Sequence, residues 1–243
     1  MKNAMKRRST LLGLMIAAGL GLAISSCKKD ASTQADATVT EADAAELATN
    51  AVVPTAGGLT LQVNSSVTLY KTVTLQCGIE KDSSITRSSV SGANPSYSYA
   101  LNWNYLLNCS GAVPGQLSFN FTGSSKYDGP RMSSDDKSTG GFVLAGLAPI
   151  SSAYVLNITY NRTGSQTSKI GRRYIFNSNL TIKSTDLTVD KNSLKILSGT
   201  GTVTISGTSS SGKSFNFNGT LTFNGDNKAT LVLNSGVSYI IQW

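Results

Sequence analysis

The sequence predicts a mainly β protein: a single antiparallel β-meander that closes as a barrel or folds as a two-sheet sandwich, preceded by one short helix. Three observations lead there. From Leu59 onward large apolar residues alternate with polar ones, the period of strands with one buried and one wet face. Gly-, Asn- and Ser-rich stretches separate the alternating runs, and no connection is long enough for a helical crossover between parallel strands. Charged residues make up only 14% of the chain while Ser, Thr, Asn and Gly abound, which suits strands with hydroxyl and amide outer faces.

The elements follow in order. Over Thr40-Glu-Ala-Asp-Ala-Ala-Glu-Leu-Ala-Thr-Asn-Ala-Val, Thr40 caps the first turn and Asp43 reaches back to it. Glu41, Asp43 and Glu46 lie near the positive end of the helix dipole, and Pro54 with Gly57-Gly58 ends the helix. The clearest strand runs from Tyr97 through Tyr99, Leu101, Trp103, Tyr105 and Leu107 to Cys109, with Ser98, Asn102, Asn104 and Asn108 on the other face. Its aromatic residues fall on the buried parity and read as core. The pattern returns around Phe119, Ile158, Phe176, Ile182, Ile205, Phe217, Leu231 and Ile241, for nine to eleven strands in all. Turns are expected at 123–125, 140–141, 161–164, 209–212, 225–227 and 234–236. Val73-x-Leu75-x-Cys77-x-Ile79 also alternates and reads as strand.

Ahead of these lies a leader. Lys2, Lys6, Arg7 and Arg8 precede an apolar stretch, Leu11 to Ile24, which is short for a transmembrane helix and right for the middle of a secretory signal. It ends in Ser25-Ser26-Cys27, where bacterial lipoprotein precursors are lipidated and cut. Ile24 stands where a leucine is more usual. The expected organisation is a cleaved signal peptide over 1–26, a flexible tether over 27–38, a short helix and linker over 39–57, and an antiparallel β domain over 58–243. Acyl chains on Cys27 contribute about 0.8 kcal/mol per buried methylene, so two or three chains anchor firmly.

The formal charge of +8 divides unevenly. The leader holds four basic residues; residues 27–57 hold two basic against five acidic, and residues 58–243 hold 15 against eight. A mildly basic globule is compatible with acidic polysaccharide, lipopolysaccharide or phospholipid headgroups, but its charges are scattered, so they read as solvated surface, and they form no nucleic-acid stripe. The chain has no histidine, which removes the commonest general base and metal ligand. With Cys27 given to lipid, export out of the reducing cytosol makes a Cys77–Cys109 disulfide the expected state of the other two cysteines.

Two motifs match catalytic patterns without their context. Gly207-Thr-Ser-Ser-Ser-Gly-Lys-Ser214 fits the phosphate loop GxxxxGK[ST], but the residues after it alternate as a strand instead of opening a helix, so no nucleotide is expected. Ser134-Asp-Asp-Lys137 fits SxxK in a segment that reads as turns. Asp128, Asp135 and Asp136 match no calcium-loop spacing, and no metal or other cofactor is expected. The stretch carrying Asp128, Arg131, Asp135, Asp136 and Lys137 is the most polar and least repetitive of the domain, and is the expected recognition loop. The closing Val237-Ser-Tyr-Ile-Ile-Gln-Trp243 reads as one more strand buried on one face.

Ser-Ser-Cys27-Lys-Lys-Asp, the Thr40 helix, Tyr127-Asp-Gly-Pro-Arg-Met-Ser-Ser-Asp-Asp and Ser198-Gly-Thr-Gly-Thr-Val-Thr-Ile-Ser together resemble a recurrent kind of Bacteroidota-type lipoprotein with a β-rich exported domain. The resemblance implies an envelope location and brings no activity or site residue with it. The expected function is thus a lipid-anchored cell-envelope lipoprotein, outer-membrane and non-enzymatic, acting as a binding or structural module. Its partners would be the membrane, through Cys27, and an envelope glycan or protein. The alternative is a carrier of a lipid or acyl chain in a β-barrel cavity. An enzyme working through carboxylates ranks last.

Overall fold

The computed structural model describes residues 38–171 and 173–243; the leader, Cys27 and the tether to residue 37 lie outside the described residues. Helix α1 spans Glu41–Val52 and opens on the capping box, with Asp43 N–H donating to the Thr40 hydroxyl (3.2 Å) and Thr40 N–H donating to the Asp43 carboxylate (3.0 Å). Its buried face is mostly small: Ala44, Ala48 and Ala51 are fully covered, which lets the backbone approach its neighbours closely. A single 3-10 turn, Pro54–Ala56, follows. Gly57 sits at φ +70°, and a Cβ there would press within 3.2 Å of the Tyr99 Cβ, so glycine serves both the turn and the contact.

Residues 59–72 depart from expectation. Leu59–Thr72 is a second helix, α2, not the start of the β domain. Leu59, Val63 and Val67 recur every four residues and are fully buried, and Thr60, Gln62 and Ser66 are buried beside them. The stripe wins because it has a sheet to lie on. Residues 73–79, expected as strand, form no strand either; Cys77 makes one isolated bridge to Leu107.

The strands are β1 Glu80–Ser88, β2 Ser96–Ser110, β3 Val113–Asp128, β4 Met132–Ala145, β5 Ala153–Ser168, β6 Tyr174–Asp190, β7 Ile196–Ser209, β8 Ser214–Gly225, β9 Lys228–Leu233 and β10 Ser238–Gln242. They form one antiparallel sheet in sequence order, β1 to β10, and the two edge strands do not pair, so the meander is open. Such a sheet laid flat would be roughly 43 Å wide at about 4.8 Å per strand. Yet α1 touches β6, β9 and β10 while α2 and the 3-10 turn touch β3, so the sheet curls around the helical segment. The trough that a carrier would leave open is occupied by the chain's own Leu59, Val63 and Val67.

Several expected turns are strand interiors. Residues 123–125 lie in β3, 140–141 in β4 and 161–164 in β5, each paired on both sides. The strands are therefore long, and each inner face has two halves. One is apolar, with Leu117, Phe119, Phe142, Leu144, Leu156 and Ile158; the other carries Ser125, Ser134, Asp136, Arg162, Gln166 and Ser178.

The connections after Ser88, Asp128, Ser168 and Ser209 gather at the polar end, here the near end, because α1 begins there. Those after Ser110, Ala145, Asp190 and Gly225 gather at the apolar far end. A Cys77–Cys109 disulfide ties the segment after α2 to β2 at the far end. Closing its 32-residue separation stabilises the fold by about 3–4 kcal/mol on the chain-entropy account.

The outer face carries a polar row across its middle. Asn102, Thr122, Thr139, Asn161, Thr181 and Thr204 stand in one row across β2 to β7, and Thr181 donates to the Asn161 side chain at 2.9 Å.

Candidate binding cleft and the buried polar node

The expected recognition stretch is not one loop. Only residues 129–131 connect strands; Asp135, Asp136 and Lys137 lie on β4, where neighbours point to opposite faces. Asp135 faces out and pairs with Lys126 (3.1 Å). Asp136 faces in, 2% exposed, and belongs to the core. The same parity puts Ser134 inward and Lys137 outward, so the SxxK pair cannot meet. The phosphate-loop match is a hairpin: β7 ends at Ser209 and β8 begins at Ser214.

Asp136 accepts from Arg162 at 2.7 Å and from the Gln166 amide at 2.7 Å. Arg162, 4% exposed, also donates to the Asn50 carbonyl (2.6 Å) and the Ser125 hydroxyl (3.1 Å). One guanidinium thus joins β3, β4 and β5 to the end of α1. Beside it α1 is held by Asp43, which accepts from Ser168 and from the Tyr174 hydroxyl. Burial pushes the Asp43 carboxyl up, and hydrogen bonds from Thr40, Tyr174 and Ser168 outweigh it, leaving it below its ordinary value of 3.8. Burial and the bond to Asp43 hold the Tyr174 phenol well above the usual range. Further along, the Trp103 indole donates to the Gln62 side chain (2.7 Å), fixing α2 on β2. None of Arg162, Gln166, Gln62 and Tyr174 was singled out by sequence. Arg162 had a signal: it continues the inward parity of Tyr154, Leu156, Ile158 and Tyr160.

Around this node the near end opens into a cleft of about 440 Å³, bounded by residues 88–92 and by Ser98, Tyr97, Lys126, Tyr127, Asp128 and Ser134. Pairing assembles it: Tyr97 lies opposite Tyr127, Ser98 opposite Lys126, and Tyr127 opposite Ser134. The rings of Tyr97 and Tyr99 stack at 6.1 Å, which aligns Tyr97 along the wall. Tyr127 is held high by burial, with the Glu46 and Asp128 carboxylates adding to it. The floor is braced from the next connection, where Lys169 pairs with Asp128 and donates to the Gly129 carbonyl (3.0 Å). Arg131 pairs with Glu46 at 3.8 Å, and burial raises the Glu46 carboxyl against that pairing.

Ser134 borders the cleft, and its hydroxyl is buried and has no hydrogen-bond partner. A buried hydroxyl without a partner is costly, and a ligand oxygen or amide would satisfy it. Of the five residues expected to recognise a ligand, Asp128 alone borders the cleft. The serines and tyrosines that build most of it fell among residues read as core or turn.

Comparison with known proteins gives no further guide: no family model, no curated protein and no solved structure matches the chain.

Proposed function

We propose that this protein is a lipid-anchored envelope lipoprotein whose folded unit is a non-enzymatic binding module, taking a glycan in the near-end cleft. The observation that carries this reading is the cleft lining. Two tyrosines, a row of serines, Lys126 and Asp128 line it together with Ser134, whose buried hydroxyl has no partner. Sugars are recognised by that combination of ring faces and paired donors and acceptors. From the cleft rim the outer face continues through Ser98 and Ser124, where hydroxyls stand beside the Lys126–Asp135 pair and suit the same class of partner. Anchoring rests on Ser25-Ser26-Cys27.

Calorimetric titration of residues 28–243 with envelope polysaccharide fragments tests the binding reading. Binding is expected, and Tyr97→Ala and Ser134→Val are each expected to weaken it about tenfold or more, the loss of one stacked ring or one buried hydrogen bond. Parent-like affinity in both variants rejects the cleft. Cys27→Ala tests the anchor separately and is expected to abolish palmitate labelling; continued labelling rejects the lipidation site.

A further inference from the structure

We propose that the near end is a membrane-resting surface that binds anionic phospholipid headgroups, so that the cleft opens at headgroup depth. The proposal rests on the envelope reading above but draws on different observations. The first is charge. Arg87, Arg131, Lys169, Arg173 and Lys213 sit on the near-end connections or the strand ends beside them. Against them stand Glu41, Asp43, Glu46 and Asp128, of which Glu46 and Asp128 are engaged by Arg131 and Lys169 and Asp43 by Ser168 and Tyr174. At the far end signs alternate instead, as in Glu80-Lys81-Asp82 and Asp190-Lys191. The excess positive charge of the folded unit therefore lies at the near end, where an anionic surface attracts it.

The second observation is apolar exposure among those charges. Val90 is 80% exposed, Ile170 49% and Ile175 52%, each at or beside a near-end connection. Branched side chains at this rim, set among arginines, enter the headgroup boundary while the guanidiniums meet phosphate. The far end also exposes Ile79, Val113 and Ile150, but among balanced charges.

The third is reach. Ten residues separate Cys27 from Thr38, spanning roughly 35 Å at full extension. Strands of 16 residues such as β3 and β5 run roughly 53 Å. Helix α1 starts at the near end, with Asp43 against Ser168 and Tyr174, so a Cys27 anchor reached through Thr38 would tether the near end of the unit, not its far end.

Co-sedimentation of residues 28–243, which include the whole compact unit Asp36–Trp243, with lipid vesicles tests this without any acyl anchor. Vesicles containing phosphatidylglycerol are expected to carry the protein down in a salt-sensitive manner, and pure phosphatidylcholine vesicles are not. Arg87→Glu and Arg173→Glu are each expected to weaken binding by about fivefold or more, the effect of one basic side chain near an anionic surface. Ile150→Asp, at the far end, is expected to bind as the parent does, and melting curves establish that each variant is folded. Absence of binding, equal binding to neutral vesicles, or parent-like binding of both folded arginine variants overturns the proposal. Vesicle binding without glycan binding keeps this surface and removes the glycan reading; the reverse result removes the surface alone.

Discussion

The two ends of the same ten strands are built by different chemistry. At the far end the inner face is Leu117, Phe119, Phe142, Leu144 and Leu156, closed by the Cys77–Cys109 bridge. At the near end the same face carries Asp136, Arg162, Gln166 and Ser125, and beyond them the cleft. Apolar burial fixes which face of each strand turns inward, whereas an arginine that must reach Asp136, Ser125 and the Asn50 carbonyl at once also fixes where α1 lies. The contrast separates two properties: the far end supplies apolar burial, and the near end supplies position and a polar lining.

The largest effect expected from breaking this division is at Arg162. Arg162→Met leaves the Asp136 carboxylate buried and unpaired and is expected to cost about 3–5 kcal/mol in urea unfolding. Adding Asp136→Leu is expected to restore most of that loss, because no buried charge then remains. At the far end, reducing the Cys77–Cys109 bridge is expected to cost about 2–4 kcal/mol, with no such second-site recovery.

Trp103→Phe lies between the two halves. It strips the Gln62 side chain of its indole donor and is expected to cost about 1–3 kcal/mol, read from the same unfolding curves.

Tyr174→Phe sharpens the comparison through pH. Asp43 has a folded value below its unfolded one, so it contributes stability that is full above the ordinary carboxylate value and is lost as pH falls through the folded value. Removing the Tyr174 hydroxyl raises the folded value toward the unfolded one. The variant's deficit is therefore expected to be greatest above about pH 4 and to shrink on acidification, as thermal melts across the acid range would record. The smallest effect belongs to the half-exposed Arg131–Glu46 pair, where Arg131→Ala is expected to change stability by about 1 kcal/mol or less.

Much of the architecture was legible because alternation is a local property. The parity of Tyr97 to Cys109 gave the inward face of β2, and the capping box at Thr40 gave the start of α1. The misreadings share one cause. Gly140-Gly141 and Asn161-Arg162-Thr163-Gly164 carry turn residues, yet they lie within strands, where Gly140 makes room for the Phe121 ring and Gly164 for the Asp136 carboxylate. Helix α2 was missed for the complementary reason: Leu59-Thr-Leu-Gln-Val fits period two over five residues, and only the continuation to Val67 favours period four. The cleft was illegible because Ser88, Tyr97, Lys126 and Ser134 come from four strands and meet only through register.

We propose that recognition belongs to the near end. Hydrogen–deuterium exchange of residues 28–243, with and without saturating envelope polysaccharide fragments, tests it most directly. The account predicts added protection in residues 88–98 and 126–134 and none in the far-end connection at 146–152. Protection confined to 146–152, or no change anywhere, would contradict it.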